Sequence, residues 1–228
     1  MGFSKELEDF FISIQRNHRP SISIEIGSNE GTFSNRMKEI CDKNKIWAFE
    51  ANPYVYEKFK DLHSDINFLN LAAFNVEGSL NFKLQKGPDY AVGNNSFFER
   101  REGIRFKKNG RRYIERITQY EEISVESVII DRYFENILTS DDVICMWIDV
   151  EGSSKQVLEG CVKTLQNTHS VFIEVEHEEF WKEQWLVDDV VNFFNENNFS
   201  LLARDYQWHE DIPRQENFIF INKKFLIN

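Results

Sequence analysis

The sequence predicts an α/β fold: a mostly parallel sheet with helices on both faces, closed at its C-terminal end by an antiparallel hairpin. Three observations carry this. Apolar runs alternate with helix-patterned segments through the first third of the chain, the alternation resumes at about residue 143, and the last two apolar runs are joined by a polar, proline-containing stretch without a helix. Strand–helix–strand alternation gives right-handed parallel crossovers and places ligands at the C-terminal ends of the strands. A closing pair of strands with no helix between them suits antiparallel pairing.

The elements follow in order. MGFSKELEDFFISIQ spaces its apolar residues helically and is acidic where a signal peptide would be basic, so residues 1–20 are read as a soluble amphipathic helix. Glu6 breaks the loose fit of this start to a myristoylation pattern. SISIEI (21–26) is a strand, TFSNRMKEICDK (32–43) a helix, KIWAFEA (45–51) a strand, and PYVYEKFKDL (53–62) a helix with proline in its first turn. INFLNLAAF (66–74) is the third strand. Further on come the strand VICMWIDV (143–150), a helix around SKQVLEGCVKTLQ, the strand SVFIEVE (170–176) and a helix from about Leu186 to Asn197. FSLLAR and NFIFIN, joined by DYQWHEDIPRQE, complete a set of seven strands. Residues 86–120 do not fit the alternation and are read as an insertion or flap.

With 228 residues, 41% of them hydrophobic, the chain can bury one sizeable core, so a single domain over 1–228 is expected. A net charge of −11 argues against a general nucleic-acid-binding surface. Cys41, Cys145 and Cys161 form no CxxC pair and no ligand cluster, which points to a reduced, cytoplasmic setting without structural zinc. No membrane span is expected, and the oligomeric state is left open.

EIGSNEGTFS, residues 25–34, holds Gly27 and Gly31 but not the third glycine of a dinucleotide-binding turn. Glu25 at the strand end would repel a phosphate yet suits a ligand bearing an ammonium group, which favours an amino-acid-bearing nucleotide over NAD. Glu50 ends the second strand, 23 positions after Gly27, where an acidic side chain can accept hydrogen bonds from both ribose hydroxyls. Alone it reads as an exposed strand-end glutamate; beside EIGSNEG it reads as a ligand contact.

EIGSNEGTFS, AFEANP, NLAAFNVEGSLNF, WIDVEGSSKQVLEG and VFIEVEH, in this order, resemble the FkbM-type S-adenosylmethionine-dependent methyltransferases from about residue 21 to 222. IDVEG followed by VLEG is the most specific part. The resemblance implies a Rossmann-like seven-stranded methyltransferase sheet. It places the methionine moiety near Glu25, Gly27, Ser28, Asn29 and Gly31, the ribose on Glu50, and adenine beside Ala51, Asn52, Ala72 and Ala73. Two departures stand out: the family usually has Lys at Trp147 and an Ala-Glu pair at Ser153 and Ser154.

A sulfonium methyl is already activated, so the enzyme chiefly aligns a nucleophile with it, a positional task worth up to about 7–11 kcal/mol. A hydroxyl acceptor also needs its proton removed, and a general base contributes about 100- to 10,000-fold. Candidates are Asp149 and Glu151 after the fourth strand of the main alternation, and Glu174, Glu176 and His177 at the fifth. If the strand runs that far, Asp149 and Glu151 share a face, as do Glu174 and Glu176. Either pair also fits a solvated strand end. The expectation is Asp149 near the methyl, also touching the cofactor, and Glu174 or His177 at the acceptor. Clustered carboxylates permit a divalent metal, but no ligand spacing demands one, and none is expected.

The acceptor is expected to be a sugar, glycan or related small-molecule hydroxyl. Arg100 to Arg116 holds eight Arg or Lys in an otherwise acidic chain. It reads either as a solvated hairpin turning at Asn109-Gly110 or as a flap in which Arg111 and Arg112 grip an anionic acceptor, with Asn95, Ser96 and Glu151 closer in. Two other classes stay open: a nucleic-acid methyltransferase, disfavoured by charge and by the position of Asn52-Pro53-Tyr54, and a non-catalytic cofactor-binding module.

Overall fold

A computed structural model describes residues 5–86, 94–101, 105–108, 111–114, 119–205 and 215–226, with backbone alone for 105–108 and 111–114. Along the chain run α1 (Lys5–His18), β1 (Ile22–Ile26), α2 (Thr32–Met37), β2 (Ile46–Phe49), α3 (Pro53–Phe59), β3 (Asn67–Leu69), β4 (Ala72–Ala73) and β5 (Gly78–Gln85). Then come β6 (Arg105–Lys108), β7 (Arg111–Ile114), β8 (Tyr120–Val128), α4 (Ile130–Tyr133), β9 (Ile144–Ile148), α5 (Ser154–Glu159) and α6 (Val162–Leu165). The chain ends with β10 (Thr168–Glu176), α7 (Val187–Glu196), β11 (Phe199–Arg204) and β12 (Gln215–Asn222).

Seven strands form the main sheet in the order β11-β12-β10-β9-β1-β2-β3. β1 pairs in parallel with β2 and β9, and β12 runs antiparallel to both β10 and β11. The chain lays down β1, β2 and β3 outward, then returns to set β9 on the other side of β1. Ligand crevices in open α/β sheets lie where the direction of winding reverses, here at the C-terminal ends of β1 and β9.

The central strands β1, β2 and β9 are buried on both faces, β2 and β9 because they are apolar on both. Along β9, Ile144, Met146 and Ile148 pack with Phe134 beside α4, with Val157, Leu158 and Leu165 of α5 and α6, and with Val190 and Phe194 of α7. Cys145 and Trp147 face the other way, toward Phe11 of α1 and Phe33 and Met37 of α2. Gln15 of α1 is buried, and its side-chain amide donates to Ser170 Oγ on β10 at 2.9 Å, tying the first helix to the sheet.

Several boundaries differ from the sequence expectation. The run 66–74 splits, because the Asn70 amide donates to the carbonyls of Glu50 at 2.8 Å and Ala51 at 3.3 Å and turns the chain out of the main sheet. Ala72–Ala73 then pair with β8 in a second sheet, order β4-β8-β5. That sheet was not anticipated, although Leu80, Phe82 and Leu84 alternate along β5 with period two. The helix expected over 154–166 breaks at Gly160, where a Cβ would lie 2.5 Å from the Phe74 carbonyl oxygen. The Asp131 carboxylate accepts from the Lys163 and Thr164 amides and restarts the chain as α6. β6 and β7 pair antiparallel with Lys108 opposite Arg111, while 109–110 lie outside the described residues. Among the described residues no helix is long and apolar enough to cross a membrane.

Candidate active site

A cavity of about 410 Å³ opens at the C-terminal ends of β1, β2, β9 and β10 and is lined by both sheets. Its walls include Gly27, Asn29, Glu50, Ala51, Asn52, Ala72 and Ala73, together with Asn95, Ser96, Asp149, Glu151 and Glu174. Leu71, Phe82, Phe97, Val150, Ser153 and Gln215 also line it and were not foreseen.

The β1–α2 loop is built from backbone. Gly27 has φ +74°, and a Cβ there would lie 1.9 Å from the Asp149 carbonyl oxygen, so only glycine lets the loop pass against the end of β9. The amides of Gly27 and Ser28 both donate to Phe49 O at 3.0 Å, fixing the loop to β2. Gly31 has φ +69° and lies under the His63 ring. Ser28, Gly31 and Glu25 are not among the lining residues. Glu25 is buried, and its carboxylate accepts from the Phe33 amide at 3.3 Å and the Ser34 amide at 2.8 Å, capping α2 from the neighbouring strand. Burial pushes its pKa up to about 7 against those hydrogen bonds.

Glu50 does reach the cavity. Its Oε2 accepts from the Asn29 amide and its Oε1 from the Asn52 amide, each at 2.7 Å, so one carboxylate joins the first loop to the second. A carboxylate has about four lone-pair sites. Two are used by these amides, and the rest remain for hydroxyl donors. Burial raises the Glu50 pKa to about 7, opposed by the Asn52 and Asn29 bonds. Asn52 in turn caps α3, its side chain accepting from the Tyr54 and Val55 amides ahead of Pro53.

The lining is also acidic at the ends of β9 and β10. β9 ends at Ile148, so Asp149 and Glu151 stand on a turn rather than on one strand face, and Val150 between them lines the cavity as well. The Asp149 amide donates to Ile26 O at 3.0 Å, prolonging the β1–β9 pairing by one residue. Burial raises the Asp149 pKa to about 7, with the neighbouring Glu151 and Glu50 carboxylates adding to it. Glu174 and Glu176 are held well above the usual range by burial and by the Asp149 and Glu151 charges. Gln215 of β12 donates to Glu174 Oε1 at 3.1 Å. His177 is not a lining residue; its Nε2 lies 3.2 Å from Glu216 Oε1.

Ser96 Oγ donates to the Glu151 carbonyl at 2.7 Å, and the Asn95 side chain accepts from the Gln85 amide at 2.9 Å. These bonds hold the start of the 94–101 segment at the cavity. The backbone of Arg111 and Arg112 lies in β7, and their side chains lie outside the described residues. Among the described residues no group of three or more His, Cys, Asp or Glu is placed to hold a metal ion.

A family model described as the methyltransferase FkbM domain matches residues 25–201. The chain belongs to the FkbM methyltransferase family. The 2-O-methyltransferase NoeI of Sinorhizobium fredii is 23% identical to this FkbM protein over 164 residues, 72% of this chain and 66% of that one. In fold it is similar to the N-methyltransferase NodS from Bradyrhizobium japonicum, with a TM-score of 0.51 at 8% identity over 96% of each chain. A methyltransferase FkbM from Methylobacillus flagellatus matches with a TM-score of 0.48 at 11% identity over 89% of this chain and 44% of that one.

The cofactor of this FkbM methyltransferase is S-adenosylmethionine. The residues present fit it: a bare-backbone turn at Gly27, a buried carboxylate with acceptor capacity left at Glu50, and an apolar slot at Ala51, Leu71, Ala72 and Ala73. The departure from the family at Trp147 lies away from this site. Its indole stacks on Phe172 with centroids 3.7 Å apart, in the core beneath α1.

Proposed function

We propose that this FkbM protein transfers the methyl group of S-adenosylmethionine to a hydroxyl of an uncharged sugar, glycan or related polyol. The observation that carries the reading is the polar part of the cavity lining, where Asp149, Glu151 and Glu174 stand with Asn95, Ser96 and Gln215. Carboxylates and amides are the side chains that accept from and donate to vicinal hydroxyls. Among the described lining residues there is no Lys or Arg to neutralise an anionic acceptor. The similarity to NoeI, a 2-O-methyltransferase, supports oxygen as the methyl acceptor.

When bound, S-adenosylmethionine supplies a methyl whose S–C bond breaks with its electron pair left on sulfur. The chain does the rest. Glu50 receives the ribose hydroxyls, Gly27 and Asn29 pass the methionine part along bare backbone, and Ala51, Asn52, Ala72 and Ala73 flank the adenine. Glu25, Ser28 and Gly31 act one layer back by shaping the loop. Asp149, in contact with the Gly27 loop, would stand beside the methyl group of the bound cofactor. The acceptor oxygen forms the new C–O bond, and its proton passes to an ionised carboxylate, Asp149 or Glu174. Asp149, raised to about 7, is well matched to this task.

The test is transfer of a tritiated methyl from S-adenosylmethionine to a panel of neutral methyl glycosides, amino sugars, uronic acids and sugar phosphates. Labelling of the neutral members is expected. Labelling confined to the anionic members contradicts the reading and returns the acceptor to the basic segment.

A further inference from the structure

Outside the residues already assigned, one buried side chain is joined to the acidic wall. Trp181, in the segment between β10 and α7, is fully buried, and its indole Nε1 donates to Glu151 Oε2 at 2.9 Å. We propose that Trp181 is a positioning residue that holds the Glu151 carboxylate in the cavity wall, where it orients the acceptor. This rests on the reading of the cavity as a methyl-transfer site.

Four further contacts support it. Gly152, directly after Glu151, has φ +74°, and a Cβ there would lie 2.7 Å from Trp181 Cβ and Cγ, so the turn is shaped to admit the indole. The amides of Phe180 and Trp181 both donate to the buried Gln184 Oε1, at 2.7 and 2.6 Å, which fixes the backbone carrying the ring. The Arg100 guanidinium lies 4.7 Å from the Trp181 ring, and the two residues form an antiparallel bridge. Ser96, on the same segment as Arg100, donates to the Glu151 carbonyl. Glu151 is therefore held at its carboxylate by Trp181 and at its backbone by Ser96, and both holders are linked through Arg100. A turn glutamate without such partners samples many rotamers. A buried indole N–H without an acceptor is costly in its own right. The pair thus satisfies the indole and fixes the carboxylate together.

The experiment uses the full chain. In a ¹H–¹⁵N spectrum the Trp181 indole resonance is identified by its absence from Trp181→Phe, a substitution that keeps an aromatic ring and removes the N–H. Glu151→Ala is expected to move that resonance upfield and to speed its hydrogen exchange. In transfer to a neutral methyl glycoside, Trp181→Phe is expected to lower kcat/KM by about 10- to 100-fold, the scale of a misplaced contact. Affinity for S-adenosylmethionine should be unchanged, and Trp181→Phe should add no loss in the Glu151→Ala background. A resonance that Glu151→Ala leaves in place overturns the proposal, whether or not Trp181→Phe folds. So does a Trp181→Phe loss that adds in full to that of Glu151→Ala. If the wild-type protein methylates no hydroxyl, the functional reading fails, while the indole resonance still decides whether Trp181 holds Glu151.

Discussion

Gly27 and Asp149 are in backbone contact: a Cβ on the glycine would lie 1.9 Å from the aspartate carbonyl oxygen. This contact brings the first loop of the fold against the residue proposed to stand nearest the chemistry.

Gly27→Ala therefore meets both a left-handed backbone and a collision with main chain. The backbone alone costs about 1–2 kcal/mol. The collision adds to it, so a loss above about 2 kcal/mol and a fall in melting temperature of about 4–8 °C are expected for a chain of this size. Gly78→Ala is the comparison, since its φ is also positive but its Cβ would meet nothing within 4 Å. Thermal unfolding of the two variants should rank Gly27→Ala as the worse, and equal losses would remove the collision from the account.

If Glu50 receives the two ribose hydroxyls as proposed, Glu50→Ala removes their acceptor, each charge-assisted bond being worth about 1.5–3 kcal/mol. Affinity for S-adenosylmethionine should weaken at least tenfold by calorimetry. Because Glu50 titrates at about 7, wild-type affinity should also rise as pH passes through that value and the carboxylate ionises. Glu50→Ala should lose that pH dependence.

Stability should run against the usual acid trend. Glu25 and Glu50 are raised from 4.5 to about 7 and Asp149 from 3.8 to about 7, mainly by burial, so the folded chain binds more protons than the unfolded chain between those values. Stability then falls as pH rises across that window: the contribution is fully present below the unfolded pKa and lost as pH passes about 7. Unfolding in urea at pH 5.5 and pH 8 checks this, with the higher midpoint expected at pH 5.5. An unchanged or reversed order contradicts it.

Asp149→Asn and Glu174→Gln should depress turnover by about 100-fold or more, the range of general-base loss, with a much smaller effect on cofactor affinity. Turnover is expected to survive EDTA. Loss in EDTA that magnesium or manganese restores would make these carboxylates metal ligands instead.

The main sheet was legible because its strands are continuous apolar runs and its helices are periodic, so β11 is found at the expected 199–204. The place of Glu50 in the cavity lining was legible from its distance to Gly27, a consequence of one strand–helix–strand unit bringing both to the same edge. Other features depend on contacts distant in sequence. Asn70 breaks the third strand by bonding carbonyls 20 and 19 positions away, and Asp131 caps α6 from 32 and 33 positions away. Glu25 matched a ligand-binding pattern yet caps α2, a use that spacing alone does not separate from contact with an ammonium group. Trp181 left no signal, since its partner Glu151 lies 30 positions away and its segment reads as a loop. The alternation in β5 was present but was obscured by the basic stretch that follows it.

The central claim is that the methyl group ends on an oxygen of an uncharged sugar. Its most direct test is carbon-13 NMR and mass analysis of the product formed from [methyl-¹³C]S-adenosylmethionine and the best glycoside of the panel. The account predicts one added methyl, in a methoxy environment on a ring carbon, absent from reactions of Asp149→Asn. A label on nitrogen or carbon, or an acceptor that must be anionic, would contradict it.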